Sequence, residues 1–105
     1  MSLAGQIIQT LDGRKLVLAS AIGPSAAVSV SPGTYATVTL ALQAVPIRPH
    51  EVLGVLQISG LSGGVVLAGY SVSGFNVNVV VYNPTSSTPS IAANSVTAVV
   101  LVRGW

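Results

Sequence analysis

Asn76-Val-Asn-Val-Val-Val-Tyr82 and Ser95-Val-Thr-Ala-Val-Val-Leu-Val-Arg-Gly-Trp105 decide the fold of this chain. Successive side chains of a β-strand point to opposite sides, so residues two apart share a side. One side of each run is apolar: Val77, Val79 and Val81 in the first, continued backwards by Phe75 just before it, and Val96, Ala98, Val100 and Val102 in the second. The second run is also apolar on its other side, at Val99 and Leu101. The pattern predicts two long strands at the centre of an all-β domain.

Shorter strand patterns precede these two runs and are separated by turn-forming residues. The predicted strands are Ala27–Ser31, Tyr35–Leu42, Val52–Ile58 and Val65–Ala68. The breaks between them are Pro32-Gly33, a corner at Pro46–Glu51 and the glycine-rich Gly60–Gly64, and the loop Asn83–Pro89 divides the two long runs. No segment keeps a helical spacing of apolar residues. We predict an antiparallel β-sandwich of jelly-roll type with six to eight short strands.

The N-terminal part, residues 1–20, allows two interpretations. Asp12-Gly13 is a strong turn signal and would let Ile7–Leu11 pair with Lys15–Ala19 as a hairpin. Alternatively, Met1–Thr10 is an arm that docks on a neighbouring subunit. We therefore divide the chain into an N-terminal arm or hairpin, residues 1–20, and a β-sandwich domain, residues 21–105.

Charge is scarce in this sequence. Charged residues make up 6% of the 105 residues, and none lies between Glu51 and Arg103, whereas about 25% is usual in a soluble domain. An exposed surface this apolar would promote association of the protein. We therefore predict that much of this surface is buried in a homo-oligomer. The four basic residues are scattered along the sequence, at Arg14, Lys15, Arg48 and Arg103. No basic patch is therefore expected, and nucleic acid is not predicted as a partner.

Other features of the composition indicate where in the cell the protein is made. Gly, Ser, Thr, Asn and Pro interrupt every apolar run, which argues against a membrane-spanning segment. There is no cysteine for a disulfide, and the N-terminus lacks the pattern of a signal peptide. We expect synthesis in the cytoplasm and no membrane partner.

Candidate catalytic and metal-binding residues are few. His50 and Glu51 would supply two metal ligands, fewer than the three or four of a zinc site. A serine triad could be assembled on paper from His50, Asp12 and a serine, but no Gly-x-Ser-x-Gly motif occurs. Gly60–Gly64 resembles a phosphate-binding loop in glycine content alone, since no lysine follows. We predict no catalytic, cofactor-binding or metal site, and no enzyme activity.

The chain has five aromatic residues, Tyr35, Tyr70, Phe75, Tyr82 and Trp105. Their role can be interpreted in two ways. They could form a surface that stacks on sugar rings. The alternative places Phe75 in the core and the tyrosines in partly buried positions. We expect Trp105 to pack on a neighbouring chain or to seal the edge of the sandwich, because an indole in water is unfavourable.

The order of elements from Pro46 onward resembles a domain common among virion proteins of tailed bacteriophages. The matching elements are Pro49-His50-Glu51-Val52-Leu53-Gly54-Val55, Gly64–Tyr70, Ser71–Phe75, Asn76–Val81, Asn83-Pro84-Thr85 and Val99–Gly104. This chain differs from the pattern where His50-Glu51 replaces a Gly-Asp pair and where Pro84 interrupts Asn-x-Thr.

The resemblance implies a small sandwich or jelly-roll module on the phage particle, usually trimeric. A chain this short looks most like a capsid decoration (cement) protein on the capsid surface, with itself and the major capsid protein as partners. A receptor- or glycan-binding tip of a head or tail fibre is the alternative that it also implies.

Overall fold

Residues 7–9 and 14–105 are described by the computed structural model, with the backbone alone at 7–9. They form nine β-strands and no helix. The strands are β1 (Ile7–Gln9), β2 (Lys15–Gly23), β3 (Val28–Ser29), β4 (Tyr35–Leu42), β5 (Pro49–Ser59), β6 (Val66–Ser73), β7 (Asn76–Tyr82), β8 (Ser90–Ile91) and β9 (Val96–Gly104). The all-β prediction is confirmed.

The main sheet has the strand order β5-β9-β2-β4-β7-β6, and all neighbours are antiparallel. All nine residues of β2 pair with β9, but only Ala21 and Ile22 pair with β4. The sheet is therefore continuous through β2 with a narrow connection to the β4-β7-β6 half. β5 and β6 are the two ends of this path, and β1 joins the same sheet by pairing with β2, while β3 and β8 form a separate two-stranded sheet.

The core is built from small aliphatic side chains. Every alternate residue of β7 and β9 is buried, as the period-two pattern predicts: Val77, Val79, Val81, Val96, Ala98, Val100 and Val102. Val38 and Leu40 of β4 are also fully buried, and β4 has the predicted bounds. Val99 and Leu101, on the other side of β9, are half-buried within the single chain.

Strand β5 departs from the expected period of two. Its pairing with β9 shifts register between Pro49 and Glu51, between Val52 and Gly54, and between Val55 and Gln57. The residues that pair with the buried side of β9 are therefore three apart: Val52, Val55 and Ile58. β5 also begins at Pro49, so the predicted corner at Pro46–Glu51 is wrong over its last three residues.

Two other elements differ in length from the prediction. β6 continues to Ser73, well beyond the predicted end at Ala68, because the whole segment pairs with β7. The predicted strand Ala27–Ser31 shrinks to Val28–Ser29, since its partner is the two-residue β8 and not the main sheet.

The N-terminal hairpin is present where the structure describes it. Ile7, Ile8 and Gln9 pair with Val17, Leu16 and Lys15. The predicted turn at Asp12-Gly13 and the first residues of the proposed arm lie outside the described residues. The boundary after residue 20 falls inside β2, whose residues 15–20 belong to the main sheet.

Asn83 joins the loop after β7 to the rest of the fold. It is the one fully buried polar side chain among the described residues. Its amide nitrogen Nδ2 donates to the carbonyl oxygens of Val30 at 2.9 Å and Ser87 at 2.7 Å, and its Oδ1 accepts from the Thr85 amide at 2.9 Å. Its backbone also bonds to Gly33 and Thr34. The Asn83–Pro89 loop is therefore fixed by hydrogen bonds.

Candidate interaction surface

The β6 strand and the turn after it carry a concentration of exposed apolar side chains. We define the β6 surface as Leu67, Tyr70, Val72 and Phe75, which are between 37% and 51% exposed. Val66 is also exposed, but it pairs with Tyr82 and lies on the opposite face of the sheet. Together these are five of the nine large apolar residues that are exposed in the described part of the chain. Exposed apolar patches of this kind commonly mark contact sites.

The pairing of β6 with β7 explains why this surface is apolar. Leu67, Tyr70 and Val72 pair with Val81, Val79 and Val77, respectively. Directly paired residues of an antiparallel sheet project to the same face. The three β6 side chains therefore extend the apolar core face beyond the fully buried valines, and the described residues leave them 37–51% exposed.

The outer backbone edge of β6 has no other described strand beside it. Natural sheet edges are commonly blocked by charges, prolines or bulges. β6 has no charged residue and no proline, and its single register shift lies near its start, between Leu67 and Gly69. The opposite edge, β5, has a proline at its start, the charged Glu51 and three register shifts. Of the two outer strands, β6 is the one suited to accept another chain.

The residues considered for catalysis or metal binding do not form a cluster in the structure. His50 is exposed and is skipped by the β5–β9 pairing. Glu51 lies opposite Arg103 and forms an ion pair with it. Asp12 lies outside the described residues. Within 7–9 and 14–105, no group of three His, Cys, Asp or Glu residues could hold a metal ion.

The predicted core position of Phe75 is wrong. Phe75 lies in the turn between β6 and β7 and is 42% exposed, because β7 begins one residue later. Of the tyrosines, only Tyr82 is partly buried. Its ring lies 4.8 Å from that of Tyr35, which is 67% exposed.

Trp105 ends the β5–β9 ladder. Its backbone exchanges two 3.1 Å hydrogen bonds with Arg48, while the guanidinium carbon of Arg14 lies 5.1 Å from its ring centroid. The indole is 55% exposed, so it covers the end of the sheet only in part.

The four basic residues are not scattered in space, contrary to the expectation from sequence. Lys15 and Pro49 both pair with Gly104, and Arg48 bonds to Trp105. The charged residues of the described chain therefore meet at one end of three adjacent strands. We call the following set the charged end: Arg14, Lys15, Arg48, Glu51, Arg103 and the aromatic Trp105.

A shallow cleft of about 260 Å³ lies between β2 and the segment after β4. It is lined by Leu18, Ala19, Ser20, Gln43, Ala44, Val45 and Pro46. None of these side chains titrates, so the cleft offers no acid, base or nucleophile activated by a base. The β6 surface and the charged end are the stronger candidates for recognition.

In the part of the chain that the structure describes, no helix is long and apolar enough to cross a bilayer. Comparisons with known proteins find no matching family, no similar curated protein and no similar solved structure.

Proposed function

We propose that this chain is a structural subunit that assembles with copies of itself and decorates a bacteriophage capsid. The observation that carries the self-assembly is the β6 surface, where core-facing positions at Leu67, Tyr70 and Val72 remain exposed. Covering them would remove apolar area from water, which is favourable by about 25 cal/mol per Å².

A second copy of the chain is the partner that best fits the β6 surface. No residue between Glu51 and Arg103 is charged, so two such surfaces would meet without like-charge repulsion. The apolar rows would continue from one copy to the next. A charged partner is not expected at β6, because this strand has no charged residue that would attract it. A homotrimer is the expected assembly, on the resemblance to phage virion proteins.

The role on the capsid rests on that same resemblance. A decoration protein that binds the assembled shell but not its separated subunits stabilises the shell by mass action. A rigid β-sheet module with fixed contact surfaces suits such a role, and scarce charge suits permanent burial. The protein would be made in the host cytoplasm and reside on the virion surface, with the major capsid protein as its partner and no bound cofactor.

Two measurements test the proposal. Light scattering should give the mass of an oligomer, with a trimer expected, at micromolar protein concentration. Capsids purified without this protein should bind it and unfold at a higher temperature once it is bound. A monomer at these concentrations contradicts self-assembly, and failure to bind the capsids contradicts decoration.

The Tyr35–Tyr82 pair favours a second function, recognition of glycans by a fibre-tip module. These rings are in contact at 4.8 Å, and Tyr35 is two-thirds exposed, which leaves an aromatic face open to a sugar ring. Binding to host cells that is lost in Tyr35→Ala, without any capsid binding, would establish this alternative in place of decoration.

A further inference from the structure

The charged end is a second surface, separate from β6. The side chains of Arg14, Lys15, Arg48 and Arg103 give four positive charges, and Glu51 gives one negative charge, which leaves three positive charges in excess. Residues 52–102 contain no charge at all. The side-chain charge of the described chain is thus confined to one end of β2, β9 and β5.

The arrangement at this end places an aromatic ring among cations. Trp105 follows β9 and lies between the starts of β2 and β5. The Arg14 guanidinium lies over its ring, and Arg48, on the β5 side, is hydrogen-bonded to its backbone. Arg103 lies two residues earlier on β9, and its ion pair with Glu51 fixes one carboxylate there. Arg48 is exposed and Trp105 is 55% exposed, so both are accessible to a ligand.

Tryptophan and arginine are the residues most enriched among those that dominate protein–protein binding energy. Non-specific DNA binding draws essentially all of its affinity from neutralised phosphates, about six to ten of them in a strongly salt-dependent complex. The charged end offers four basic side chains, of which Arg103 pairs with Glu51 and Arg14 also has an interaction of its own. Its composition and size therefore favour an acidic protein surface over a nucleic acid.

We propose that the charged end binds an acidic surface of a partner protein, with Arg48 and Trp105 as contact residues. Arginine binds carboxylates through charge-assisted and often bidentate hydrogen bonds, and the adjacent indole supplies apolar contact area. This proposal requires neither the β6 assembly nor a capsid, so it can fail or hold independently of the proposed function.

Trp105 makes the test direct, because it is the only tryptophan in the chain and reports on this end by its fluorescence. The full chain is titrated with a peptide of about ten glutamates, and separately with a lysine peptide and a thymidine oligonucleotide of equal length. We expect the glutamate peptide alone to give a saturable change in Trp105 emission. Its affinity should fall roughly tenfold between low and physiological salt, because exposed charges are screened.

Two variants locate the site. Arg48→Gln should weaken the glutamate peptide at least about fivefold, as expected for loss of one charge-assisted contact. In Arg48→Gln/Ser86→Arg the net charge is restored at Ser86, an exposed residue in the loop after β7, away from the charged end. This double variant should bind as weakly as Arg48→Gln.

The results that overturn the proposal are equally specific. An unchanged Trp105 emission with the glutamate peptide refutes an acidic partner. Tighter binding of the oligonucleotide than of the peptide assigns the site to nucleic acid. Recovery of wild-type affinity in Arg48→Gln/Ser86→Arg would show that the net charge of the protein attracts the glutamate peptide and that the charged end is not a binding site.

Discussion

Tyr70 of β6 lies directly opposite Val79 of β7, yet Val79 is fully buried and Tyr70 is 51% exposed. The two side chains share one face of the sheet, so the difference arises from what covers that face. Among the described residues, the packing that buries Val79 leaves Tyr70 half exposed. The self-assembly proposed above would cover it.

Replacing Tyr70 by lysine should separate the copies without unfolding them. The substitution brings like charges together wherever two β6 surfaces meet, and each 1.4 kcal/mol of repulsion weakens association tenfold. We expect the dissociation constant of the oligomer to rise about 10- to 100-fold in sedimentation experiments. Ser86→Lys adds the same charge at an exposed loop position and should leave the oligomer intact. Equal assembly of both variants would exclude the β6 surface as the contact.

Removing the Asn83 side chain should destabilise the fold strongly. Asn83→Ala leaves the Val30 and Ser87 carbonyls and the Thr85 amide without the partners they have in the native chain. An unsatisfied buried polar group costs about 1–3 kcal/mol, so we expect a loss of about 3 kcal/mol in urea unfolding. Asn76→Ala, at an exposed position of β7, is the control and should change stability little. Similar values for both would show that the Asn83 bonds contribute nothing.

Gly60 directly follows β5 and has a conformation that a larger residue does not tolerate. Its φ is +93°, and a Cβ there would lie 2.1 Å from the Ser95 carbonyl oxygen. Backbone strain costs about 1–3 kcal/mol and overpacking about as much again, so Gly60→Ala should lose about 3 kcal/mol or more. A Cβ at Gly54 meets nothing within 4 Å, so Gly54→Ala should stay within about 1 kcal/mol of the native stability in thermal unfolding. The reverse order of the two losses would contradict this account of the turn.

The Glu51–Arg103 pair should contribute little to stability. The Arg103 and Glu51 side chains are 31% and 40% exposed, respectively, although the Glu51 Oε1 atom itself is shielded from solvent. Pairs exposed to this extent contribute about 1 kcal/mol or less. A double-mutant cycle with Glu51→Gln and Arg103→Gln should give a coupling energy in that range, smaller at 1 M salt. A coupling of several kcal/mol, insensitive to salt, would contradict it.

Elements with an uninterrupted period of two could be predicted from the sequence. β4 and β7 have the predicted bounds, because each has one apolar side from end to end and a strong turn signal before or after it. β5 could not be read in this way. Its three register shifts arise from pairing with β9, and its core-facing residues consequently recur every three positions.

The interaction surfaces were less accessible to sequence reasoning. Phe75 continues the alternation of β7 but lies in a turn, because alternation does not show where a strand begins. Arg14, Arg48 and Arg103 are far apart in sequence, and only the antiparallel order of β2, β9 and β5 brings them together. For Asn83 there was a local signal: Asn followed two residues later by Thr is typical of a side chain that bonds to its own loop.

The unequal edges of the main sheet would also limit how far the proposed association proceeds. In the proposed assembly, a neighbour occupies β6, and the strand left at the other end of the main path is β5, with its bulges, Pro49 and Glu51. Such edges are poor templates for further strand addition, so growth stops. On the proposed assembly, a chain with an open, uncharged strand would form closed oligomers and would not polymerise into endless fibrils.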